Sequence, residues 1–135
     1  MSESTENARL IVRALTMDDL DAIQQLHGKC FPSITTWTRN ELASHIKIFP
    51  EGQIGIELDG ELVATSSSLI VHGEDYFGDH TFAEVSDDGM LTRSHEPTGD
   101  TLYGIDIAVD PETRGFRLAR RLYDARKELA VELNL

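Results

Sequence analysis

The sequence is poor in cysteine and contains no long apolar run. Its 135 residues include one cysteine, Cys30, which cannot form an internal disulfide and is expected to be a small buried hydrophobic residue. No stretch of eighteen apolar residues occurs, so no membrane span is expected. Residues 1–8 are polar, lack the apolar segment of a secretory signal and are expected to be a flexible terminus. These features favour a reducing, cytoplasmic setting.

Basic residues are also scarce. Twelve Lys and Arg face twenty-four Asp and Glu, which gives a formal net charge of -12. Nucleic-acid binding requires cationic side chains that neutralise phosphates, so this balance argues against a nucleic-acid partner. It is compatible with steering of an amine-bearing substrate, and equally with simple solubility. The apolar fraction of 40% and charged fraction of 27% are typical of one globular domain.

The stretch from Leu102 to Leu133 predicts a strand, a tight turn and a helix. Leu102 to Val109 is rich in apolar and β-branched residues and has no Lys or Arg, which suits a central strand covered on both faces. Pro111 cannot donate to a β-ladder and ends the strand. The helix is predicted from Arg117 to Leu133. Its apolar residues recur at steps of three and four: Leu118, Leu122, Ala125, Leu129 and Leu133.

Arginines cluster where this helix begins. Arg114, Arg117, Arg120 and Arg121 lie within eight residues of an otherwise acidic chain. The first four amides of a helix lack intrahelical partners, and the helix dipole places about half a positive charge there. Phosphate is a natural ligand for such a terminus. The alternative is a plain strand–helix unit whose basic helix start is only solvated.

The segment from Arg114 to Ala119 resembles the Arg/Gln-x-x-Gly-x-Gly/Ala signature of the GNAT family of N-acetyltransferases, which binds the pyrophosphate of acetyl-CoA. Arg114 and Ala119 match the first and last positions, whereas Arg117 stands where Gly is usual. The wider string, continuing Arg-Arg-Leu-Tyr-Asp-Ala-Arg-Lys-Glu-Leu, resembles the branch found ahead of carbon–nitrogen hydrolase domains. That branch keeps Arg at this position.

The resemblance implies an α/β (α+β) acyl-CoA N-acyltransferase fold over residues 9–135, with a mixed, mostly antiparallel sheet flanked by helices. It implies transfer of an acetyl group from acetyl-CoA to an amine, without a metal. The backbone of Ile107, Ala108 and Val109 would run beside the pantetheine, and an amide near Val109 would polarise the thioester. The pyrophosphate would be held by the turn, that is by Arg114, Gly115, Phe116, Arg117, Leu118, Ala119 and Arg120.

No general base or acid can be assigned from the sequence. Because side chains alternate along a strand, Tyr103 and Ile105 are expected to share a face with Ile107, and Asp106 to share the other with Gly104. Tyr103 suits a packing role, with catalysis as the alternative. Asp106 is a carboxylate within an apolar strand, and we expect it to accept a structural hydrogen bond from a neighbouring helix or turn.

The rest of the chain reads as a succession of short elements. A strand is predicted at 10–15, a helix at about 18–29, and a second helix after Trp37 with a Thr38/Glu41 capping box. Strands follow at 53–58 and 61–71, joined by an Asp59-Gly60 hairpin turn. In the segment 72–100, Tyr76, Phe77 and Phe82 suggest an insert that covers a pocket. A solvated loop is expected there in preference to a metal site, although these potential ligands occur: His72, Asp75, Asp79, His80, Glu84 and His95.

The GNAT family normally continues beyond this order of elements with another strand, another helix and a terminal hairpin. The sequence stops at Asn134-Leu135, so we expect a fold that is incomplete at its C-terminus, as a truncation or as a half-fold. The strand edge left exposed favours a homodimer or completion by a partner strand. The alternative to an enzyme is a non-catalytic acyl-CoA-binding or protein-interaction module.

Overall fold

A computed structural model describes residues 9–33, 36–76, 78, 80–113 and 115–135. The terminus predicted to be flexible, residues 1–8, lies outside the described residues. So do Arg114, predicted to bind pyrophosphate, Phe77 of the aromatic insert, and Asp79 of the alternative metal site.

The described residues form four strands and four helices. In chain order these are β1 (Leu10–Ala14), α1 (Leu20–Cys30), α2 (Arg39–Ile48), β2 (Ile54–Leu58), β3 (Glu61–Val71), α3 (Phe82–Ser86), β4 (Thr101–Val109) and α4 (Leu118–Glu132). Single 3-10 turns lie at Met17–Asp19, Pro50–Gly52 and Gly73–Tyr76. None of the helices within the described ranges has the length and apolar content needed to cross a bilayer.

Local sequence signals account for several boundaries. The predicted capping box of α2 is confirmed: Glu41 N donates to Thr38 Oγ1 at 3.2 Å, and Thr38 N donates to Glu41 Oε1 at 2.8 Å. The predicted hairpin is confirmed as well. Asp59 and Gly60 both adopt positive φ, at 52° and 86°, as a tight two-residue turn between twisted strands requires.

The sheet has the order β1-β2-β3-β4 with every pairing antiparallel. The prediction that Leu102 to Val109 forms a central strand is wrong for the described chain, although both faces of the strand are packed as predicted. β4 pairs with β3 alone among the described residues, and in it only Ala108 is fully buried. An apolar sequence pattern indicates that the faces of a strand are packed. It carries no information on whether a second strand pairs with its other edge.

Helices cover both faces of the sheet. On one face, which we call the α4 face, Leu118 and Leu122 pack on Ile54, Ile56 and Val63. The predicted apolar stripe of this helix is confirmed, because Leu118, Leu122 and Leu129 are all buried. Burial of each leucine stabilises the fold by about 1.5–3 kcal/mol. The opposite face, the cleft face, is covered by α1, α2 and α3.

A β-bulge interrupts β4. Ser67 pairs with Asp106 and Ser68 with Gly104, so Ile105 is an extra residue on the β4 side. Ile105 and Asp106 therefore project from the same face, since one position of the alternation is lost. The bulge divides the strand into two halves whose side-chain patterns are out of phase.

The predicted distribution of β4 side chains is consequently wrong at two places. Tyr103 and Ile105 pack on the cleft face, but Ile107 packs on the α4 face with Leu118. Asp106 bonds a residue on the cleft face, whereas Gly104 lies against a helix α4 side chain on the other face. Strict alternation holds only where the ladder is regular, and the sequence gives no sign of the bulge.

Candidate functional site

A cleft of about 370 Å³ opens on the cleft face of the sheet, beside β4. Its walls come from α1, from the segment leading into α2, from the first turns of α2 and α3, and from the bulge of β4. The lining residues are His27, Phe31, Thr36, Trp37, Glu41, Phe82 and Asp106.

Asp106 is held in this cleft by Trp37. Trp37 Nε1 donates to Asp106 Oδ2 at 2.5 Å. The sequence predicts a structural hydrogen bond from a neighbouring helix or turn, and its donor instead lies in the segment that leads into α2. Trp37 is itself fixed by an edge contact with His45, at 5.0 Å between ring centroids, and by stacking with Phe82 at 5.6 Å. No donor in the described part of the chain reaches Asp106 Oδ1, so this oxygen remains available to a ligand.

Two buried histidines support the floor of the cleft. His27 Nε2 lies 3.1 Å from Thr65 Oγ1, and His45 Nε2 donates to the Gly89 carbonyl oxygen at 2.6 Å. Burial lowers the pKa of both imidazoles below the ordinary value of 6.5, so each is neutral at neutral pH. His27 shares one helical face with Leu20, Ile23 and Leu26, but nothing in the sequence gives it a role. Only its position among Leu20, Ile23 and Leu26 signalled its burial.

Arg126 stabilises the bulge by hydrogen bonds from the α4 face. Arg126 Nη2 donates to the carbonyl oxygens of Asp106 and Ser67, at 2.6 and 3.0 Å. A side chain at Gly104 would block this contact, since a Cβ there would lie 2.4 Å from Arg126 Nη1. Burial lowers the pKa of the Arg126 guanidinium. Nothing in the sequence marks Arg126 for this role.

Tyr103 belongs to an aromatic cluster outside the cleft lining. Its hydroxyl lies 2.9 Å from His80 Nε2, and its ring contacts those of Tyr76 and His80. This supports the packing interpretation of Tyr103. Phe82, from the segment expected to cover a pocket, does line the cleft. The described His, Cys, Asp and Glu side chains form no group of three or more that could hold a metal ion.

The turn after β4 is built by Asp110. Its Oδ1 accepts from Glu112 N at 2.9 Å, and its Oδ2 lies 3.3 Å from Lys29 Nζ. The chain then passes through Gly115, at φ +84°, to Arg117, which adopts the left-handed conformation at φ 52° and ψ 47°. Arg117 is therefore the residue before α4, and the prediction that it starts the helix is corrected by one position. Gly is favoured in this conformation because it has no Cβ.

The start of α4 suits an anion. Its first turn has no acidic side chain, and Arg117 and Arg120 are exposed beside it. Arg121 Nε is committed to the Phe116 carbonyl oxygen at 2.7 Å. Leu118 is buried against the sheet, and this contact fixes the position of the first turn of α4. Of the remaining predicted cofactor-binding residues, Gly115 and Ala119 are exposed, and Ile107 and Val109 pack beneath α4.

Comparison with known proteins places these features in a family. The model of the Acetyltransferase (GNAT) family matches residues 20–135. "Probable hydrolase YhcX" of Bacillus subtilis (strain 168) is 40% identical over 139 aligned positions, which cover 100% of this chain and 27% of that protein. "Uncharacterized N-acetyltransferase YkwB" of the same organism is 36% identical over 130 positions, covering 93% of this chain and 57% of that protein. The chain thus spans between about a quarter and three fifths of these relatives.

Solved structures show the same fold. The loading GNATL domain of CurA from Lyngbya majuscula superposes with a TM-score of 0.73 at 20% identity, over 86% of this chain and 55% of that one. The GphF GNAT-like decarboxylase in complex with isobutyryl-CoA gives a TM-score of 0.71 at 24% identity, over 85% and 58%. The order of elements, the shared fold and the match over residues 20–135 agree, and the chain belongs to the Acetyltransferase (GNAT) family.

Proposed function

We propose that the chain binds acetyl-CoA and transfers its acetyl group to an amine held in the cleft. The observation that carries the proposal is the bulge of β4, which directs the Asp106 carboxylate into an open cleft. The same strand leads, from Val109, into the basic turn before α4. Family membership supports acyl transfer, and one relative is described as an N-acetyltransferase.

The cosubstrate lies along β4 and the start of α4. The edge of β4 that the described residues leave unpaired offers the backbone of Ile107, Ala108 and Val109 to the pantetheine arm, in the manner of an added strand. The amides of Gly115, Phe116, Leu118 and Ala119 contact the pyrophosphate at the helix terminus. Arg114, Arg117 and Arg120 supply counter-charge. Arg114 enters this proposal from the family signature alone.

Acetyl-CoA supplies the acyl group as a thioester, whose C–S bond breaks as the amine nitrogen forms a C–N bond, releasing CoA as the thiol. Before attack, the ammonium must lose a proton, and Asp106 Oδ1 accepts it directly or through one water. Trp37 holds Oδ2, so the carboxylate keeps a fixed orientation. A backbone amide near Val109 donates to the thioester oxygen as negative charge develops.

The test separates binding from chemistry. Acetyl-CoA is titrated into the chain by calorimetry, and release of CoA thiol is then followed with primary amines. Asp106→Asn keeps an acceptor for Trp37 but removes the base, and we expect turnover to fall roughly 10²-fold or more with acetyl-CoA affinity unchanged. Asp124→Asn, on the exposed side of α4, is the matched control. Full turnover by Asp106→Asn, or no acetyl-CoA binding by a folded chain, would overturn the proposal.

A second candidate is an acyl-CoA-binding or protein-interaction module. It is favoured by one observation: the region matched in the probable hydrolase is 27% of that protein, so the corresponding segment there is part of a larger chain. A module of this kind would bind acetyl-CoA, or a partner or second copy along the β4 edge, without turnover of any amine. Binding of acetyl-CoA with no thiol release across an amine panel would favour it over the enzyme.

A further inference from the structure

The small cleft is lined by both aromatic and acidic side chains. Three aromatic side chains, Phe31, Trp37 and Phe82, form its walls, and two carboxylates, Glu41 and Asp106, reach into it. Its volume of about 370 Å³ is at the small end of ligand sites, which are typically about 300–1,000 Å³. A small ligand with both an apolar and a polar part fits this space.

The polar part of such a ligand should be cationic. Among the residues that the structure describes, those that line the cleft include no Lys or Arg, and the neutral His27 adds no positive charge at neutral pH. Arg126 lies on the other face of β4, where it donates to the Asp106 carbonyl oxygen, and it is not among the cleft-lining residues that the structure describes. The net charge of -12 adds a long-range attraction for cations.

Each of the two carboxylates accepts a hydrogen bond through one of its oxygens. Glu41 closes the N-terminus of α2, because its Oε1 accepts from Thr38 N at 2.8 Å. Asp106 Oδ2 accepts from Trp37 Nε1, and this is its one side-chain hydrogen bond among the described residues. Glu41 Oε2 and Asp106 Oδ1 therefore both lack a donor among the described residues, and both can accept from a cationic group.

The aromatic walls define the other end of the ligand. Trp37 and Phe82 stack with an interplanar angle of 25°, and the bond from Trp37 to Asp106 keeps the indole from rotating. Rigid aromatic surfaces next to a carboxylate favour a flat apolar group attached close to an ammonium. A carboxylate on the same ligand would meet Glu41 and Asp106 with like charge, which disfavours amino acids.

We propose that the acceptor is a primary amine with an apolar, preferably aromatic, substituent and no carboxylate, whose ammonium group binds Asp106 Oδ1 beside the stacked rings of Trp37 and Phe82. This inference rests on the proposed function, because it names the substrate class of the same site.

The chain carries its own reporter for this binding. Trp37 is the only tryptophan, so its fluorescence and its indole N–H resonance report on the cleft without any need for turnover. Phenethylamine and phenylalanine form a matched pair of probes that differ by one carboxylate. We expect phenethylamine to shift the Trp37 signal at millimolar concentration or below, and phenylalanine to bind about tenfold or more weakly.

Variants and a second readout complete the test. Asp106→Asn should weaken phenethylamine binding about tenfold or more, whereas the exposed control Asp124→Asn should leave it unchanged. With acetyl-CoA present, mass spectrometry should show N-acetylphenethylamine and far less N-acetylphenylalanine. Equal or tighter binding of phenylalanine, no Trp37 response to phenethylamine, or insensitivity to Asp106→Asn would each overturn the substrate class. Acetyl-CoA binding by calorimetry is independent of these outcomes, so its loss identifies failure of the proposed function instead.

Discussion

Arg126 Nη2 donates to the carbonyl oxygen of Asp106 at 2.6 Å, so a residue of α4 holds the backbone of the residue that faces the cleft on the other side of the sheet. The same nitrogen donates to Ser67, the partner of Asp106 across the β3–β4 ladder. Two carbonyls at an irregular point of the sheet thereby gain one charged donor. The bulge and the helix are consequently one structural unit.

Removing this donor should destabilise the fold and disorder the site. Arg126→Met keeps an unbranched apolar stem but leaves both carbonyls without their donor, and we expect a loss of about 1–3 kcal/mol in the free energy of unfolding, measured with urea. Amine turnover should fall more than acetyl-CoA affinity, since Asp106 moves while the basic turn does not. The exposed Lys127→Met is the control and should change stability by less than about 0.5 kcal/mol. Equal effects of the two replacements would contradict the role of Arg126.

A side chain at Gly104 should displace the Arg126 guanidinium. A Cβ at this position lies 2.4 Å from Arg126 Nη1, so Gly104→Ala must displace the guanidinium, at an expected cost of about 1–3 kcal/mol. Gly28→Ala, in α1 where a Cβ meets nothing within 4 Å, should instead stabilise the protein by about 0.5–1 kcal/mol. Thermal melts of both variants and of Gly104→Ala/Arg126→Met provide the measurement. If the costs of Gly104→Ala and Arg126→Met simply add, the two residues do not act through the same contact.

Because Arg117 has a left-handed backbone conformation, replacing it by Gly and replacing it by Ala should change the stability of the fold differently. Arg117→Gly relieves the crowding of Cβ at φ 52°, whereas Arg117→Ala retains it. We expect the Gly variant to unfold with a free energy about 1 kcal/mol higher than the Ala variant. Both lose the same charge, so their acetyl-CoA affinities should fall together. Equal stability of the two variants would show that the turn has relaxed to another conformation.

Stability should fall on mild acidification. Burial lowers the pKa of His27, His45 and His95 in the folded chain below the ordinary value of 6.5, so the unfolded chain takes up their protons first as pH decreases. The stabilisation they contribute is complete above 6.5 and is lost progressively as pH falls below it. Urea unfolding between about pH 5 and pH 8 tests this dependence.

The histidine variants assign that pH dependence. Replacing His27 and His45 by Gln keeps a hydrogen-bonding side chain but removes the titration, so the slope of stability against pH should flatten. His72→Gln, at a partly exposed position, is the control. If the double replacement leaves the slope of stability against pH unchanged, other groups cause the pH dependence.

Local signals in the sequence predicted much of the fold, because their physics is contained in a few neighbouring residues. The capping box of Thr38 and Glu41, the Asp59-Gly60 turn and the leucine stripe of α4 are of this kind. The family resemblance carried by Arg114 to Ala119 is confirmed by the match over residues 20–135. Whether those residues bind a cofactor stays a prediction.

The cleft depends on long-range pairs and could not be predicted in the same way. Trp37 and Asp106 are 69 residues apart, and Arg126 meets Ser67 across 59. Their contacts exist because a single extra residue, Ile105, changes the phase of β4. Hydrophobic periodicity reports only which face is buried, so it cannot place a bulge, name the side chain behind it, or say which edge of a sheet is left unpaired.

The edge of β4 that the described residues leave unpaired also bears on how this chain behaves at high concentration. From Thr101 to Val109 the strand has no Lys, Arg or Pro, the residues that commonly protect edges, and its one charged side chain, Asp106, turns into the cleft. Such an edge is a template for aggregation. A ligand whose amide groups pair with this strand would cap the template, and acetyl-CoA should therefore slow the growth of turbidity in concentrated samples even where no acceptor is present.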